Sequence, residues 1–92
     1  MTTEINQQRL SQTIEFLKKA ATINANTNNC VDVDLTGNWN QVEVRAYDSK
    51  NVPSSHNLLF ESYDLHGDNY DDDEKIEAIT IVLNNLLKSI PA

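Results

Sequence analysis

The sequence predicts one α+β domain, in which a helix, a three-stranded antiparallel sheet and a second helix follow one another, both helices packing on one sheet face. Two end segments repeat apolar residues at the three- and four-residue spacing of an amphipathic helix. Three segments between them alternate apolar and polar residues, as half-buried strands do. Ninety-two residues suffice for a core two layers thick, so we expect a single domain over residues 1–92.

The first element is a helix predicted over residues 3–23, with Thr2 or Thr3 as its N-terminal cap. Its expected core face is an apolar stripe at 4-3-4 spacing, widened by three further apolar residues. The stripe is Leu10, Ile14, Leu17 and Ala21, and Phe16, Ala20 and Ile23 lie beside it. The polar run "NANTNN" at 24–29 predicts a loop.

The next two elements are the strands "CVDVDLT" and "QVEVRAY". Their alternation places one set of side chains toward the core, namely Val31, Val33, Leu35, Val42, Val44 and Ala46. A four-residue turn at 37–40 pairs Leu35 with Val42 and Asp32 with Arg45, whereas a two-residue turn places Asp32 opposite Glu43. Like charges directly opposite are destabilising, so we expect the first register.

The third strand is predicted at 58–65, "LLFESYDL", and its phase stays open. Either Leu58 and Phe60 face the core, or Leu59, Tyr63 and Leu65 do. The final helix is the clearest element, because its apolar residues recur at 3-4-3-4 spacing. They are Ile76, Ile79, Leu83, Leu86 and Ile90. Ile81 falls on the polar side, where it is either a lone surface residue or a partner contact.

The charge of the chain is unevenly distributed. The formal net charge is −7, and residues 29–77 hold twelve acids against three bases. This disfavours direct binding of nucleic acid or anionic membranes, and it favours a basic protein surface as partner. One cysteine excludes an internal disulfide framework and fits a reducing cytosol. Neither a signal peptide nor a membrane-spanning run is seen, so we expect a cytoplasmic location.

The acidic stretch "LHGDNYDDDEKIE" at 65–77 admits several interpretations. An EF-hand anchored on Gly67 fails, because Ser62 and His66 fall at ligand positions. Asp71 and Glu74 have the spacing of a capping box, which accounts for one or two of the acids. Acid–base catalysis needs a desolvated carboxyl in a cleft, which adjacent solvated acids do not provide. A divalent-cation site using Asp68, Asp71 and Asp73 remains an alternative.

The other reactive or aromatic residues form no recognisable motif. Cys30, His56 and His66 lack metal-ligand or nucleophile–base spacing, so we predict no catalytic residue, metal site or cofactor. Trp39, at the tip of the predicted hairpin, either packs back on the first helix or serves as an exposed binding anchor.

The acids define a candidate partner-binding surface. Asp32, Asp34 and Glu43 are expected on the sheet face opposite the helices, joined by Glu61 or Asp64. The adjacent loop and helix start add further members, Asp68, Asp71, Asp72, Asp73 and Glu74. An alternative is that the charge serves only solubility.

The chain resembles small phage-encoded inhibitors of bacterial defence, in particular anti-CRISPR proteins that mimic DNA. The resemblance spans the whole chain as element order and charge, carried by "VDVDLTGNWNQVEVRAYD" and "YDLHGDNYDDDEKIE". It implies a non-enzymatic protein that presents its acids to a CRISPR nuclease or effector complex in a bacterial host cell. The competing hypothesis is a small adaptor or immunity-type protein that can form a homodimer through the last helix.

Overall fold

Two helices and a three-stranded antiparallel sheet follow one another in the predicted order. The computed structural model describes residues 6–36, 41–50, 56–66 and 71–90. Its elements are α1 (Gln7–Asn26), β1 (Cys30–Thr36), β2 (Gln41–Tyr47), β3 (Asn57–Asp64) and α2 (Asp71–Lys88). The sheet order is β1-β2-β3, so β2 is central and β1 and β3 are its edges. The predicted α+β class is confirmed.

The register of β1 on β2 is the one that the charge pattern predicts. Leu35 pairs with Val42, Val33 with Val44, and Asp32 with Arg45. The same register places Asp34 directly opposite Glu43, so one like-charge pair remains. The predicted turn at 37–40 lies outside the described residues.

The core lies between the helices and one sheet face. α1 packs mainly against β1, α2 packs against β3, and the two helices also contact each other. The buried apolar residues are Phe16, Ala20, Ile23, Val31, Val42, Val44, Ala46, Leu59, Tyr63, Leu65, Ile76, Ile79 and Leu83. Leu59, Tyr63 and Leu65 thus fix the phase of β3, and Leu58 and Phe60 are exposed. Leu86 packs partly against the core, as its spacing predicts.

The predicted core face of α1 is wrong for its main stripe, although the residues predicted beside that stripe, Phe16, Ala20 and Ile23, are buried. The buried residues are Arg9, Thr13, Phe16, Ala20 and Ile23, which also follow a 4-3-4-3 spacing. Leu10 is only half-buried, Ala21 is exposed, and Ile14 and Leu17 are 45% and 49% exposed. The helix has two neighbouring apolar faces. The face that meets the sheet includes the polar residues Arg9 and Thr13, so the sequence pattern favoured the other face. We call Leu10, Ile14, Leu17 and Ala21 the apolar stripe.

Two other predictions at element ends need correction. Asn6, rather than Thr2 or Thr3, caps α1, since its Oδ1 accepts hydrogen bonds from the backbone N–H of Gln8 at 3.0 Å and of Arg9 at 3.3 Å. α1 also continues to Asn26, three residues past its predicted end. Leu35 was predicted to face the core but is 62% exposed, because it lies at the end of an edge strand.

Candidate interaction surface

The sheet face opposite the helices, here called the open face, carries the predicted sheet acids. Asp32 and Asp34 of β1 are exposed and Glu43 of β2 is half-buried. Arg45 faces Asp32 across the ladder, yet its Nη2 pairs diagonally with the Oδ2 of Asp34. This diagonal pair places one positive charge beside the facing carboxylates of Asp34 and Glu43. Asp32 and Glu43 form no ion pair with another described residue.

Apolar side chains lie beside these charges. Phe60 is opposite Arg45 on β3 and is 54% exposed, and Leu58 is 43% exposed. Tyr47 is half-buried at the end of β2. An exposed aromatic residue next to charges is typical of a protein-binding surface. The sequence left open which face of β3 meets the core. The set that does not meet the core must meet solvent, so an exposed Phe60 was one of the two outcomes.

The two acids proposed to extend the open face lie on different sides of the sheet. Glu61 pairs with the buried Val44, so it belongs to the helix-facing side. Asp64 pairs with Gln41, in phase with Ser62 and Phe60 on the open face. The backbone N–H of Asp64 donates to the Oδ2 of Asp72 at 3.0 Å, so this end of the open face adjoins the first turn of α2.

The first turn of α2 carries four consecutive acids, and three of them are exposed. Asp71, Asp73 and Glu74 are exposed where the helix dipole favours negative charge. Asp71 and Glu74 lie in one shallow pocket with Glu61 and Lys75, on the helix-facing side of β3. We define the acidic surface by its two parts, which are Asp32, Asp34, Glu43 and Asp64 on the open face and Asp71, Asp73 and Glu74 in the first turn of α2. Asp72 was predicted to belong to this surface, and that is wrong: it is 3% exposed.

Asp72 is buried because it binds the guanidinium of Arg9. The Nη1 of Arg9 lies 3.0 Å from the Oδ2 of Asp72 and donates to the carbonyl of Asp64 at 2.5 Å. Thr13 Oγ1 donates to the carbonyl of Arg9 at 2.9 Å and lies 2.5 Å from the hydroxyl of Tyr63. These contacts join α1, β3 and α2 in one buried polar network. Sequence reasoning missed it, because charged residues are rarely buried unless paired.

Tyr63 belongs to both the network and the apolar core. Its ring packs edge-to-face on Phe16, with centroids 6.1 Å apart and an interplanar angle of 75°. Burial raises the pKa of Tyr63 above its usual 10.0, although the hydrogen bond with Thr13 and the charge of Arg9 oppose this. The phenol therefore stays protonated throughout the neutral range.

Cys30 and His56 have surroundings that explain their local roles. Partial burial, followed by the charge of Asp32, raises the pKa of the Cys30 thiol, which opposes a thiolate nucleophile. Asp48 accepts a hydrogen bond from the backbone N–H of His56 at 2.6 Å, which lowers the pKa of that carboxyl. Its other oxygen lies 3.1 Å from the His56 Nδ1, so the pair closes the connection between β2 and β3.

A groove of about 490 Å³ lies between the N-terminal halves of the two helices. Its lining is largely polar and includes Gln8, Gln12 and Glu77. Within residues 6–36, 41–50, 56–66 and 71–90, no group of three or more His, Cys, Asp or Glu side chains is placed to hold a metal ion. Trp39 and Asp68, the remaining predicted site residues, lie outside these ranges, as does part of the proposed cation site.

Neither described helix is long and apolar enough to cross a membrane. Searches with protein-family models, against curated proteins and against solved structures find no match for this chain.

Proposed function

We propose that this chain is a non-enzymatic inhibitor that presents its acidic surface to a basic nucleic-acid-binding protein, such as a CRISPR nuclease or effector complex. The observation that carries the proposal is the number of exposed carboxylates on the open face, Asp32 and Asp34, and in the first turn of α2, Asp71, Asp73 and Glu74. The bacterial cytoplasm is the proposed place of action.

Charge imbalance supports this proposal. Within the acidic surface, Arg45 pairs with Asp34, and Arg9 lies 3.5 Å from Asp73 while also serving Asp72. Glu43 and Glu74 form no ion pair with another described residue. Concentrated like charge destabilises a compact domain, and a cationic partner relieves that repulsion. A duplex, with one charge per about 1.7 Å of axis, is the polyanion that a nucleic-acid-binding cleft is built to accept.

The open face also offers what a purely solubilising surface does not need. Phe60 places an exposed aromatic ring across from Arg45, amid the carboxylates. Charges give steering and register, while a desolvated aromatic ring gives short-range affinity. The association rate should therefore fall as salt rises, and the lifetime of the complex should depend on Phe60.

The test begins with the immobilised chain and a bacterial lysate at low salt, eluted by a salt gradient. We expect a nucleic-acid-binding protein in the eluate, and duplex DNA should displace it from the chain. A recovered partner that still binds in the presence of saturating DNA would contradict the proposal, as would an eluate without such a protein.

A matched pair of variants then locates the contact. Glu43→Lys and Glu15→Lys change the net charge equally. Glu15 is an exposed residue of α1 and does not belong to the acidic surface. We expect Glu43→Lys to weaken binding by about tenfold or more, and Glu15→Lys by less than about threefold, because close charge pairs dominate. Equal effects would mean that only overall charge matters.

The second candidate is an adaptor that dimerises through α2. It rests on Ile81, which is 54% exposed on the polar side of that helix. Ile81→Glu should convert such a dimer to a monomer in sedimentation equilibrium. A monomeric parent chain removes this candidate.

A further inference from the structure

The outer edge of β1 combines three features that the acidic surface alone does not explain. It is an edge strand, and no other described segment pairs with it on that side. The apolar stripe of α1 lies next to it, and Leu35 at its end is 62% exposed. Asp32 and Asp34 project from its open face.

Asn24 identifies which backbone groups point outward. Its side-chain amide donates to the carbonyl of Val31 at 2.9 Å, and its Oδ1 accepts from the N–H of Val31 at 2.8 Å. Both backbone groups of Val31 therefore face away from β2, and Asn24 binds them as a neighbouring strand would. In an antiparallel ladder the direction alternates with each residue, so the groups of Val33 and Leu35 face the same outer edge.

The apolar stripe faces this edge. Gln8 and Gln12 line the groove toward α2. At 100° per residue, the stripe lies roughly 110° around α1 from its buried line, on the side away from α2. Because α1 packs on β1 and α2 on β3, that side overhangs the outer edge of β1.

The two elements are also matched along their length. α1 and β1 run antiparallel, with Asn24 beside Val31. Leu35 lies about 13 Å further along the strand, which corresponds to about nine residues back along the helix. Leu35 therefore lies near the level of Ile14 and Leu17 along the fold, and all three side chains are exposed.

We propose that the outer edge of β1 binds an extended segment of a partner protein in which apolar residues alternate with Lys or Arg. The backbone of the segment pairs with Val33 and Leu35 and so adds a fourth strand. Its apolar side chains cover Leu35, Ile14 and Leu17, and its cationic side chains lie beside Asp32 and Asp34. This inference rests on the proposed function, because those two acids belong to the acidic surface.

The charge of β1 favours a cationic segment of a partner protein over a second copy of this chain. Antiparallel pairing of two β1 strands about Val33 places Asp32 of one copy opposite Asp34 of the other, at both ends of the pair. Like charges directly opposite are destabilising, whereas a cationic strand reverses the sign of the same contacts.

The probes are two nine-residue peptides of the same composition, one alternating Lys with Val and one with its Lys and Val residues in blocks. Both are acetylated and amidated, and their affinities for the full chain are measured by isothermal titration calorimetry. We expect the alternating peptide to bind about tenfold or more tightly, because only strand periodicity places its two faces correctly. In hydrogen-exchange NMR, its binding should slow exchange at the amides of Val33 and Leu35.

Three variants test the geometry. Leu35→Pro removes an outward N–H, and proline is tolerated on a strand edge that faces solvent. Ile14→Glu places a charge among the exposed apolar residues that the segment would cover, without touching the ladder, so it remains informative if Leu35→Pro fails to fold. Each should lose about tenfold or more in affinity for the alternating peptide. Asn84→Glu, which adds the same charge at an exposed position of the other helix, is the matched control and should keep full affinity.

Several results would overturn strand addition. Equal affinity for both peptides means that charge alone attracts them, in which case the proposed function stands and the strand site does not. Absence of binding also overturns it, as does a parent dimer that Leu35→Pro dissociates, since a second copy then occupies the edge. A further outcome is that the chain binds the alternating peptide but duplex DNA does not displace its recovered partner. The strand site would then stand, and the partner would not be a nucleic-acid-binding protein.

Discussion

Two arginine–aspartate pairs connect parts of this fold, and they differ mainly in burial. Arg9 and Asp72 have side chains that are 7% and 4% exposed, and they join the two helices although the two residues are 63 positions apart in sequence. Arg45 and Asp34 are 31% and 53% exposed and join neighbouring strands. A buried charge without its partner is costly, whereas a solvated one is not. The same two residue types thus hold the helices together inside the fold at Arg9 and Asp72, whereas at Arg45 and Asp34 they contribute charge to the surface.

The largest expected effect is that of Asp72→Ala. The substitution leaves the Arg9 guanidinium buried without its main counter-charge and removes the acceptor of the Asp64 N–H. The free energy of unfolding should fall by about 3–5 kcal/mol, measured by urea denaturation. Asp73→Ala is the control on the same helix turn, because its side chain is 80% exposed and the loss should stay below about 1 kcal/mol. A similar loss of unfolding free energy in both variants would show that burial does not set the contribution of these carboxylates.

The double variant Arg9→Met with Asp72→Leu sharpens the same point. Replacing both charges by apolar side chains of similar length avoids an unpaired buried ion, so much of the lost stability should return. We expect the double variant to be more stable than Asp72→Ala by about 2 kcal/mol, with the Asp64 backbone groups accounting for the remaining deficit. A double variant no more stable than Asp72→Ala would show that the pair is needed for more than neutralisation.

Tyr63→Phe tests the network beside the buried pair. Loss of the hydrogen bond with Thr13 should cost about 1 kcal/mol at neutral pH. Because the folded-state pKa is raised above 10.0, the protonated phenol stabilises the fold fully below pH 10, and this stabilisation is lost as pH rises through the folded pKa. Urea denaturation from pH 8 to 11.5 should therefore show a steeper decline for the parent chain than for Tyr63→Phe. Parallel declines would contradict this.

The smallest effect is expected at the exposed pair. Asp34→Asn removes the ion pair with Arg45 but also relieves the repulsion from Glu43, which lies directly opposite. The two contributions oppose each other, so the net change in unfolding free energy should stay below about 1 kcal/mol. Thermal unfolding at low and high salt checks this, and a loss comparable with that of Asp72→Ala would break the comparison.

The strands were predictable because their signal is local. Alternation fixes the bounds of β1 and β2. Each of the two registers considered has one like-charge pair, so the opposite-charge pair of Asp32 with Arg45 is what favours the observed one. The face of α1 was not predictable in this way, since its apolar residues fall on two adjacent faces. The decisive residue is Arg9, whose burial depends on Asp72 and on the distant carbonyl of Asp64.

The acidic surface was predictable in composition but not in membership. Four adjacent acids at a helix start look alike in sequence, and only the packing of α1 against α2 distinguishes Asp72 from Asp71, Asp73 and Glu74. The separation of Glu61 from Asp64 likewise depends on the phase of β3. Trp39 and Asp68 remain predictions.

The amide contact of Asn24 with Val31 also bears on how the chain folds. It closes a segment of only seven residues, so it costs little chain entropy and can form while the rest is still unfolded. The contact of Arg9 with Asp72 closes 63 residues and should form late. We therefore expect Asn24→Ala to slow folding and Asp72→Ala chiefly to speed unfolding, which stopped-flow measurements distinguish. The last turn of α1 and the start of β1 would then be the part of the molecule that assembles first.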